Sequence, residues 1–342
     1  MKTVGILGAG QLAQLLAHAA YSLGLKTVCY SDQADAPAAR MSPIVVGSLE
    51  DEAALTAFAQ QVDVVTLENE NIPDSVLSLL QHHVEVLPGK PALSTSQDRW
   101  IEKSTFAQLD IPVPRFADIT CAADIETALS KLGCPAILKT RRFGYDGKGQ
   151  FRLHAEHQVE EAWQAIGQQS AIVEGFVNFD LEVSQLVARN RQGDMVFYPL
   201  IHNHHEDGIL RTSTFPYDDP ELSALAQQHT RCIMEHLDYV GVMAFEFFVS
   251  DKTLLANEIA PRVHNSGHLT IEGTQCSQFE NHLRAIADLP LVTPQVISAV
   301  RMENIIGAWP ETCHQQIERV YDYGKSPRSG RKLGHSIISL SY

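Results

Sequence analysis

Residues 135–153 read PAILKTRRFGYDGKGQFRL, and the fold turns on how this stretch is read. PAILKT is an apolar strand with Lys139 at its end, where a cation can reach phosphate oxygens. Arg141, Arg142 and Lys148 then crowd a loop in which Gly144, Gly147 and Gly149 supply three glycines in six positions. Without Cβ atoms, such a loop is mobile and brings its N–H groups close to an anion. Asp146-Gly147 is also a hairpin turn signal, yet an ordinary hairpin has no need of three cations and a tyrosine. The Gly144–Gln150 segment therefore reads as a lid over phosphates.

Downstream, AIVEGFVNFDLE (171–182) joins two strands through Glu174-Gly175-Phe176-Val177. A carboxylate and open backbone groups at such a hinge can bind adenine edges, and Glu182 can accept from ribose hydroxyls. VMAFEFFVS (242–250) and TLLANEIAP (253–261) form a hairpin around Ser250 to Thr253. Glu246 sits in an otherwise apolar strand, with Asn257 and Glu258 in the strand facing it. A buried carboxylate without a partner is costly, so such acids are paired or metal-bound. Hard oxygen donors on a rigid hairpin suit Mg²⁺ that also takes substrate phosphates; structural salt bridges are the plainer alternative. A four-residue loop sets Asn257 opposite Glu246 and a one-residue shift sets Glu258 there, and the sequence leaves that register open. Phe245, Phe247 and Phe248 read as core and nucleobase-pocket wall.

Working outward, three segments emerge. Residues 1–94 alternate short apolar strands (TVGILGAG, KTVCYS, IVVG, VDVVTLE, VEVLPG) with helical stretches, the pattern of βαβ units and a Rossmann-like parallel sheet. Residues 95–290 shift to longer strands and hairpins of α+β type. Residues 291–342 show no obvious helix and read as a small C-terminal β domain. Gly8-Ala9-Gly10-Gln11-Leu12-Ala13 fits a dinucleotide-binding turn, with Asp32 after the second strand. A helix N-terminus of that kind suits a single phosphate monoester equally well, and the residues with chemistry lie far downstream.

Composition narrows the partners. With 44% hydrophobic and 20% charged residues, the 342-residue chain can form cores without staples. A net charge of −15 with no long basic run argues against duplex nucleic acid. No apolar run approaches the roughly 18–20 residues of a membrane span. The N-terminus reads as a strand entering a glycine turn, not as a signal peptide. Six scattered cysteines without a CxxC pair suit a reduced cytoplasmic protein. His202, His204 and His205 have no cysteine beside them and are not read as a zinc site.

The order of lysine, glycine lid, hinge carboxylate and paired acids on a hairpin resembles the ATP-grasp superfamily. Within it the chain is similar to the N5-carboxyaminoimidazole ribonucleotide synthases, in GILGAGQL, ENIP at Glu70, QDRWIEK, GYDGKGQ, FYPLIHNHHEDGILRTS, NEIAPRVHNSGH, QFENHLRAI and GRKLGH. These run from residue 4 to residue 335. The resemblance implies a pre-ATP-grasp domain, an ATP-grasp domain, and carboxylation of 5-aminoimidazole ribonucleotide with ATP and bicarbonate. It implies ATP contacts from Arg99, Lys139, Gly144, Tyr145, Asp146, Gly147, Lys148, Gly149, Gln150, Glu174, Gly175, Phe176, Val177, Glu182, His205, Asn257 and Glu258. Glu246 and Glu258 would hold Mg²⁺. Gly10, Gln11, Leu12, Glu70, Tyr145, Asp146, Arg331 and Lys332 would bind the nucleotide, the last two at its 5′-phosphate. Arg262, His264 and Asn265 would face bicarbonate and carboxyphosphate, with Tyr145 and Asp146 on the closing lid and Asp146 as proton acceptor. A cytoplasmic homodimer is expected. Many superfamily members carry a third metal ligand where this chain has Ala260, and family members usually continue past Tyr342 with a helical segment. The nearest alternative is a sister ATP-grasp ligase such as the formate-using glycinamide ribonucleotide transformylase; from other classes stand an NAD(P)-dependent oxidoreductase and a nucleotide-binding regulator without turnover.

Overall fold

The computed structural model describes residues 1–144, 147–310 and 317–340. Tyr145 and Asp146, expected at the catalytic centre, lie outside the described residues.

Strands β1 (Thr3–Leu7), β2 (Lys26–Ser31), β3 (Ile44–Val46) and β4 (Val64–Leu67) form a parallel sheet in the order β3-β2-β1-β4. VEVLPG contributes only a single parallel bridge, Val86 to Val65. Pro88 follows almost at once and has no N–H with which to extend a ladder. Helix Gln11–Ser22 buries Leu12, Ala13, Leu16 and Ala20, a stripe at helical spacing. That stripe packs with Phe279, Leu283 and Ile286 of helix Gln278–Ile286 in one core that also holds Val4 and Val242. Each large apolar side chain buried there stabilises by about 1.5–3 kcal/mol, so the N-terminal unit is welded to the central one.

A small antiparallel sheet follows: β5 (Phe116–Ile119), β6 (Ala136–Thr140), β7 (Gln150–Leu153) and β8 (Ala171–Gly175), in the order β5-β8-β6-β7. The expected lid is the β6–β7 connection, and the expected hinge begins in the last two residues of β8, Glu174 and Gly175.

The large sheet contains β9 (Leu181–Arg189), β10 (Met195–Phe197), β11 (Leu200–Glu206), β12 (Ile209–Tyr217), β13 (Gly241–Ser250), β14 (Thr253–Ala260), β15 (Val300–Ile306), β16 (Ile317–Asp322) and β17 (Lys332–Ser339). Its order is β14-β13-β9-β11-β12-β15-β17-β16, with β10 paired to β9. The run DMVFYPLI splits into β10 and β11 around Tyr198-Pro199, where proline removes a donor. β12, which the apolar patterning does not pick out, returns through Asp207-Gly208, both at positive φ. The strands of the C-terminal segment do not stand alone: β15 pairs with β12, and β17 with β15. Five strand spacings separate β13 from β17, roughly 24 Å if the sheet were flat. Yet Glu246 of β13 and Lys332 of β17 line the same cavity, so the sheet coils around it.

The open hairpin register is settled by a bulge. Ser250 pairs with Thr253 across Asp251 and Lys252, both at positive φ, a tight two-residue turn. Phe247 pairs with Ala256, but Glu246 then pairs with Glu258, so one extra residue enters β14 between them. Alternation along β13 sends Phe245 and Phe247 into the core beside Phe106 and turns Glu246 and Phe248 to the cavity.

Candidate active site

A cavity of about 870 Å³ lies where the small sheet, the large sheet and the N-terminal glycine turn meet. On the small-sheet side, Lys139 Nζ donates to Glu174 Oε2. Lys103 Nζ stands 2.9 Å from the other oxygen of the same carboxylate. Burial alone would raise the Glu174 pKa, but the two ammonium groups outweigh it and hold the carboxyl well below the usual range. Glu174 is thus spent inside the protein, orienting Lys139 toward the cavity, and does not present its carboxylate to a nucleobase. Gly175, Phe176 and Val177 run past the cavity and do not line it; the Arg152 guanidinium covers the Phe176 ring at 4.2 Å.

Arg99, at the start of helix Arg99–Gln108, ties down the lid. Its Nη1 donates to Thr140 O at 3.1 Å and its Nη2 to Gly144 O at 3.0 Å. A Cβ on Gly144 would meet Arg99 Nη1 at 2.9 Å and Lys148 O at 3.0 Å, so a larger residue there would push the guanidinium off the loop. Gly144, Gly147, Lys148 and Gln150 line the cavity, while Gly149 does not. Phe179 stacks on Phe248 with ring centroids 4.7 Å apart, making with Ile137 an apolar wall suited to a flat base. Glu182 Oε2 stands 2.7 Å from His205 Nδ1. Burial opposes charge on His205, but Glu182, Glu246 and Glu258 together raise its pKa.

Glu246 and Glu258 face each other across the bulge with Asn257 beside them, all three on the cavity wall. Burial pushes the Glu246 pKa up to about 7; His205 opposes this, and Glu258 and Glu182 add to it. Its contacts are long, 3.5 Å to Ser184 Oγ and 3.6 Å to His264 Nδ1. Two hard, underpartnered carboxylates facing a cavity fit a magnesium ion that takes its remaining ligands from phosphates. Among the described residues no cluster of three or more acid, histidine or cysteine side chains forms a closed protein-only metal cage.

Deeper in, Arg262 forms a two-pronged pair with Glu70, Nε to Oε2 at 2.5 Å and Nη2 to Oε1 at 3.1 Å. Burial would raise the Glu70 pKa, but Arg262 overrides it and keeps the carboxyl low. Burial, with Arg262 and Lys332 nearby, pushes His264 well below its ordinary value, so its imidazole is neutral. Asn265 carries a buried Nδ2 with no hydrogen-bond partner among the described residues, on the cavity wall. An unmet donor there is a place for an oxyanion.

The glycine turn differs from its sequence reading. Glu68 Oε1 accepts from Gly10 N at 2.6 Å and Oε2 from Ala13 N at 2.9 Å. An internal carboxylate thus fills the helix N-terminus that a pyrophosphate or phosphate would need. Gln11 and Leu12 do line the cavity and Gly10 does not; Gln11 Oε1 accepts from Lys325. Lys332 reaches the cavity, whereas Arg331 turns to Ser326 O at 3.4 Å.

Glu68, Glu102, Lys103 and Phe179 were given no role by the sequence reading, and Lys325 was noted only as part of a basic stretch. Glu102 is buried, and burial together with Glu258 pushes its pKa up to about 8. The available signal was charge on the core-facing stripe of a helix, Glu102 and Lys103 beside Phe106.

A lysine-bearing strand, a glycine lid and paired acids on a hairpin around one cavity define an ATP-grasp ligase. Residues 104–279 match the ATP-grasp domain, and residues 1–97 the ribonucleotide synthetase preATP-grasp domain. The N5-carboxyaminoimidazole ribonucleotide synthase of Pseudomonas aeruginosa is 45% identical over 340 residues, 98% of this chain and 94% of that protein. The crystal structure of N5-carboxyaminoimidazole ribonucleotide synthetase from Thermus thermophilus superposes with a TM-score of 0.93 at 42% identity, covering 98% and 93% of the two chains. The Aspergillus clavatus N5-carboxyaminoimidazole synthase, in complex with ADP and 5-aminoimidazole ribonucleotide, gives 0.91 at 28% identity over 99% and 94%. This chain belongs to the N5-carboxyaminoimidazole ribonucleotide synthase family.

Proposed function

We propose that the protein carboxylates the amine of 5-aminoimidazole ribonucleotide, using ATP and bicarbonate and releasing ADP and phosphate, a step of purine biosynthesis. The observation that carries this is a single cavity joining Lys139 and the lid, the Glu246–Glu258 pair, the Arg262–His264–Asn265 group and Lys332. The base of ATP lies against Phe179 and Phe248, its ribose near Glu182, and its phosphates under Lys139, Lys148 and the lid. Glu246 and Glu258 would hold magnesium, which would supply charge neutralisation at the phosphates.

Arg262, neutral His264 and the open Asn265 amide hold bicarbonate so that one of its oxygens attacks the γ-phosphorus. The bond to ADP breaks and carboxyphosphate forms; its developing charge is met by cations already in place. The amine then attacks the carboxyl carbon, phosphate leaves, and Asp146 takes the amine proton. The lid excludes water that would otherwise hydrolyse the intermediate. Lys332 receives the nucleotide 5′-phosphate, and Glu70, steadied by Arg262, faces its ribose. The family resemblance also supports a homodimer working in the cytoplasm.

The deciding experiment measures ADP release from Mg²⁺-ATP and bicarbonate, with and without 5-aminoimidazole ribonucleotide. Strong stimulation that needs both bicarbonate and nucleotide is the expected result. ADP release indifferent to the nucleotide would overturn the acceptor and direct the test to glycinamide ribonucleotide with formate.

A further inference from the structure

The Asn257-Glu258 bulge is held from outside its own sheet. Helix Arg99–Gln108 sends two successive charged residues inward against β14: Glu102, 2% exposed and on the cavity wall, and Lys103, 1% exposed in the core. Lys103 Nζ donates to Ala256 O at 3.1 Å. Glu102 Oε1 accepts from Ile259 N at 2.8 Å. Those two backbone groups are the immediate flanks of Asn257-Glu258, the segment in which the ladder slips by one residue. A bulge interrupts ladder hydrogen bonding, and buried backbone groups left unmet carry a penalty. Here one helix turn supplies a donor on one side and an acceptor on the other, so only the bulged register satisfies both.

We propose that Glu102 and Lys103 are positioning residues that clamp this bulge and thereby hold Glu258, in place of Asn257, opposite Glu246. The inference rests on reading Glu246 and Glu258 as the metal–phosphate site. The clamp also reaches the nucleotide side. Lys103 Nζ stands 2.9 Å from Glu174, whose other oxygen holds Lys139. Arg99, one turn earlier on the same helix, anchors Gly144 at the root of the lid. A single helix therefore sets the spacing between the acids on β14 and the cations that meet the phosphates.

The test compares Glu102→Gln, which keeps an oxygen able to accept from Ile259 N–H, with Glu102→Ala, which does not. Mn²⁺ binding in the presence of ADP is measured by electron paramagnetic resonance, and exchange of the Ile259 amide by hydrogen–deuterium exchange. The clamp requires Glu102→Gln to bind Mn²⁺ within about threefold of the wild type, while Glu102→Ala loses about 10- to 100-fold and exposes the Ile259 amide. Equal losses in both variants would make Glu102 a direct ligand and overturn the proposal, as would no loss in Glu102→Ala. Should Glu102→Ala fail to fold, Glu102→Asp takes its place. Its carboxylate is withdrawn from Ile259, so unchanged Mn²⁺ affinity there sinks the clamp and a loss upholds it. Glu258→Gln run alongside keeps the two readings apart: Mn²⁺ affinity unchanged in that variant would remove the metal site itself, whatever Glu102 does.

Discussion

Glu68 closes on the backbone N–H of Gly10 at 2.6 Å, so a turn shaped to receive an anion already contains one. The carboxylate also takes the Ala13 N–H, and burial raises its pKa although both N–H groups, Lys325 and Arg262 oppose the rise. A dinucleotide pyrophosphate would have to displace Glu68 from the Gly10 and Ala13 N–H groups. Titration with NADH is expected to leave the fluorescence of the cofactor and of the protein unchanged; saturable binding would contradict this.

Gly8 completes that arrangement. Its φ is +107°, and a Cβ there would come within 2.3 Å of Glu68 Cγ. Gly8→Ala is expected to lower stability by roughly 1–3 kcal/mol, from backbone strain and overpacking together. Urea unfolding followed by circular dichroism measures it, and a midpoint equal to wild type would argue against the Glu68 contact.

Glu258→Gln separates stability from turnover. ADP formation should fall on the order of 100-fold, because charge stabilisation of the transferring phosphoryl group is lost. The metal-free protein should melt no lower than wild type, since Glu258 is one of the groups that make ionised Glu246 unfavourable. Unchanged turnover would remove Glu258 from the metal site.

Lys332 and Arg331 are adjacent in sequence but differ in reach, and kinetics can tell them apart. Lys332→Ala should raise KM for the aminoimidazole nucleotide about tenfold or more and leave KM for ATP nearly unchanged, as for a charge-assisted contact to a phosphate. Arg331→Ala, whose side chain turns to Ser326, should change neither by more than about twofold. The reverse pattern would reassign the phosphate contact.

The Lys103–Glu174–Lys139 group gives acid sensitivity of definite sign. In the folded chain Glu174 is held below its ordinary value, and in the unfolded chain it titrates at about 4.3. Its contribution is therefore complete above that value and is lost as pH falls through the folded pKa. Glu174→Gln leaves Lys103 buried without its counter-charge, which costs about 3–5 kcal/mol at pH 7. Urea melts from pH 7 to pH 3 should show the difference between wild type and Glu174→Gln shrinking toward the acid end. A constant difference would mean that the pair is not what the variant removes.

Much of the fold was legible because its signals are local. Alternating short strands and helices announce the parallel sheet, and Gly144, Gly147 and Gly149 after PAILKT announce the β6–β7 connection beside the cavity. The acids on the β13–β14 hairpin stood out as charges in apolar strands. What escaped depends on contacts distant in sequence. The hairpin register waits on Glu102, 157 residues from the Ile259 amide it accepts. The loss of the glycine turn as a phosphate site waits on Glu68, 58 residues from Gly10. Glu174 was assigned to the nucleobase from its place at a hinge, and only its burial between two lysines shows where its charge goes. Arg331 and Lys332 form one basic word in sequence, and only the entry into β17 at Lys332 separates their directions.

The coiling of the large sheet makes the site a caliper. Glu246 and Lys332 are the two jaws, and the strands from β13 to β17 are its frame, closed by hydrogen bonds at every step. Opening the jaws would mean unpairing strands. With Lys332 as the proposed seat of the 5′-phosphate, an acceptor would be gauged by length: its amine would have to reach the carboxyl donor while its far phosphate met Lys332. A nucleoside lacking that phosphate, or an analogue longer by one more, falls outside the gap however well its base fits.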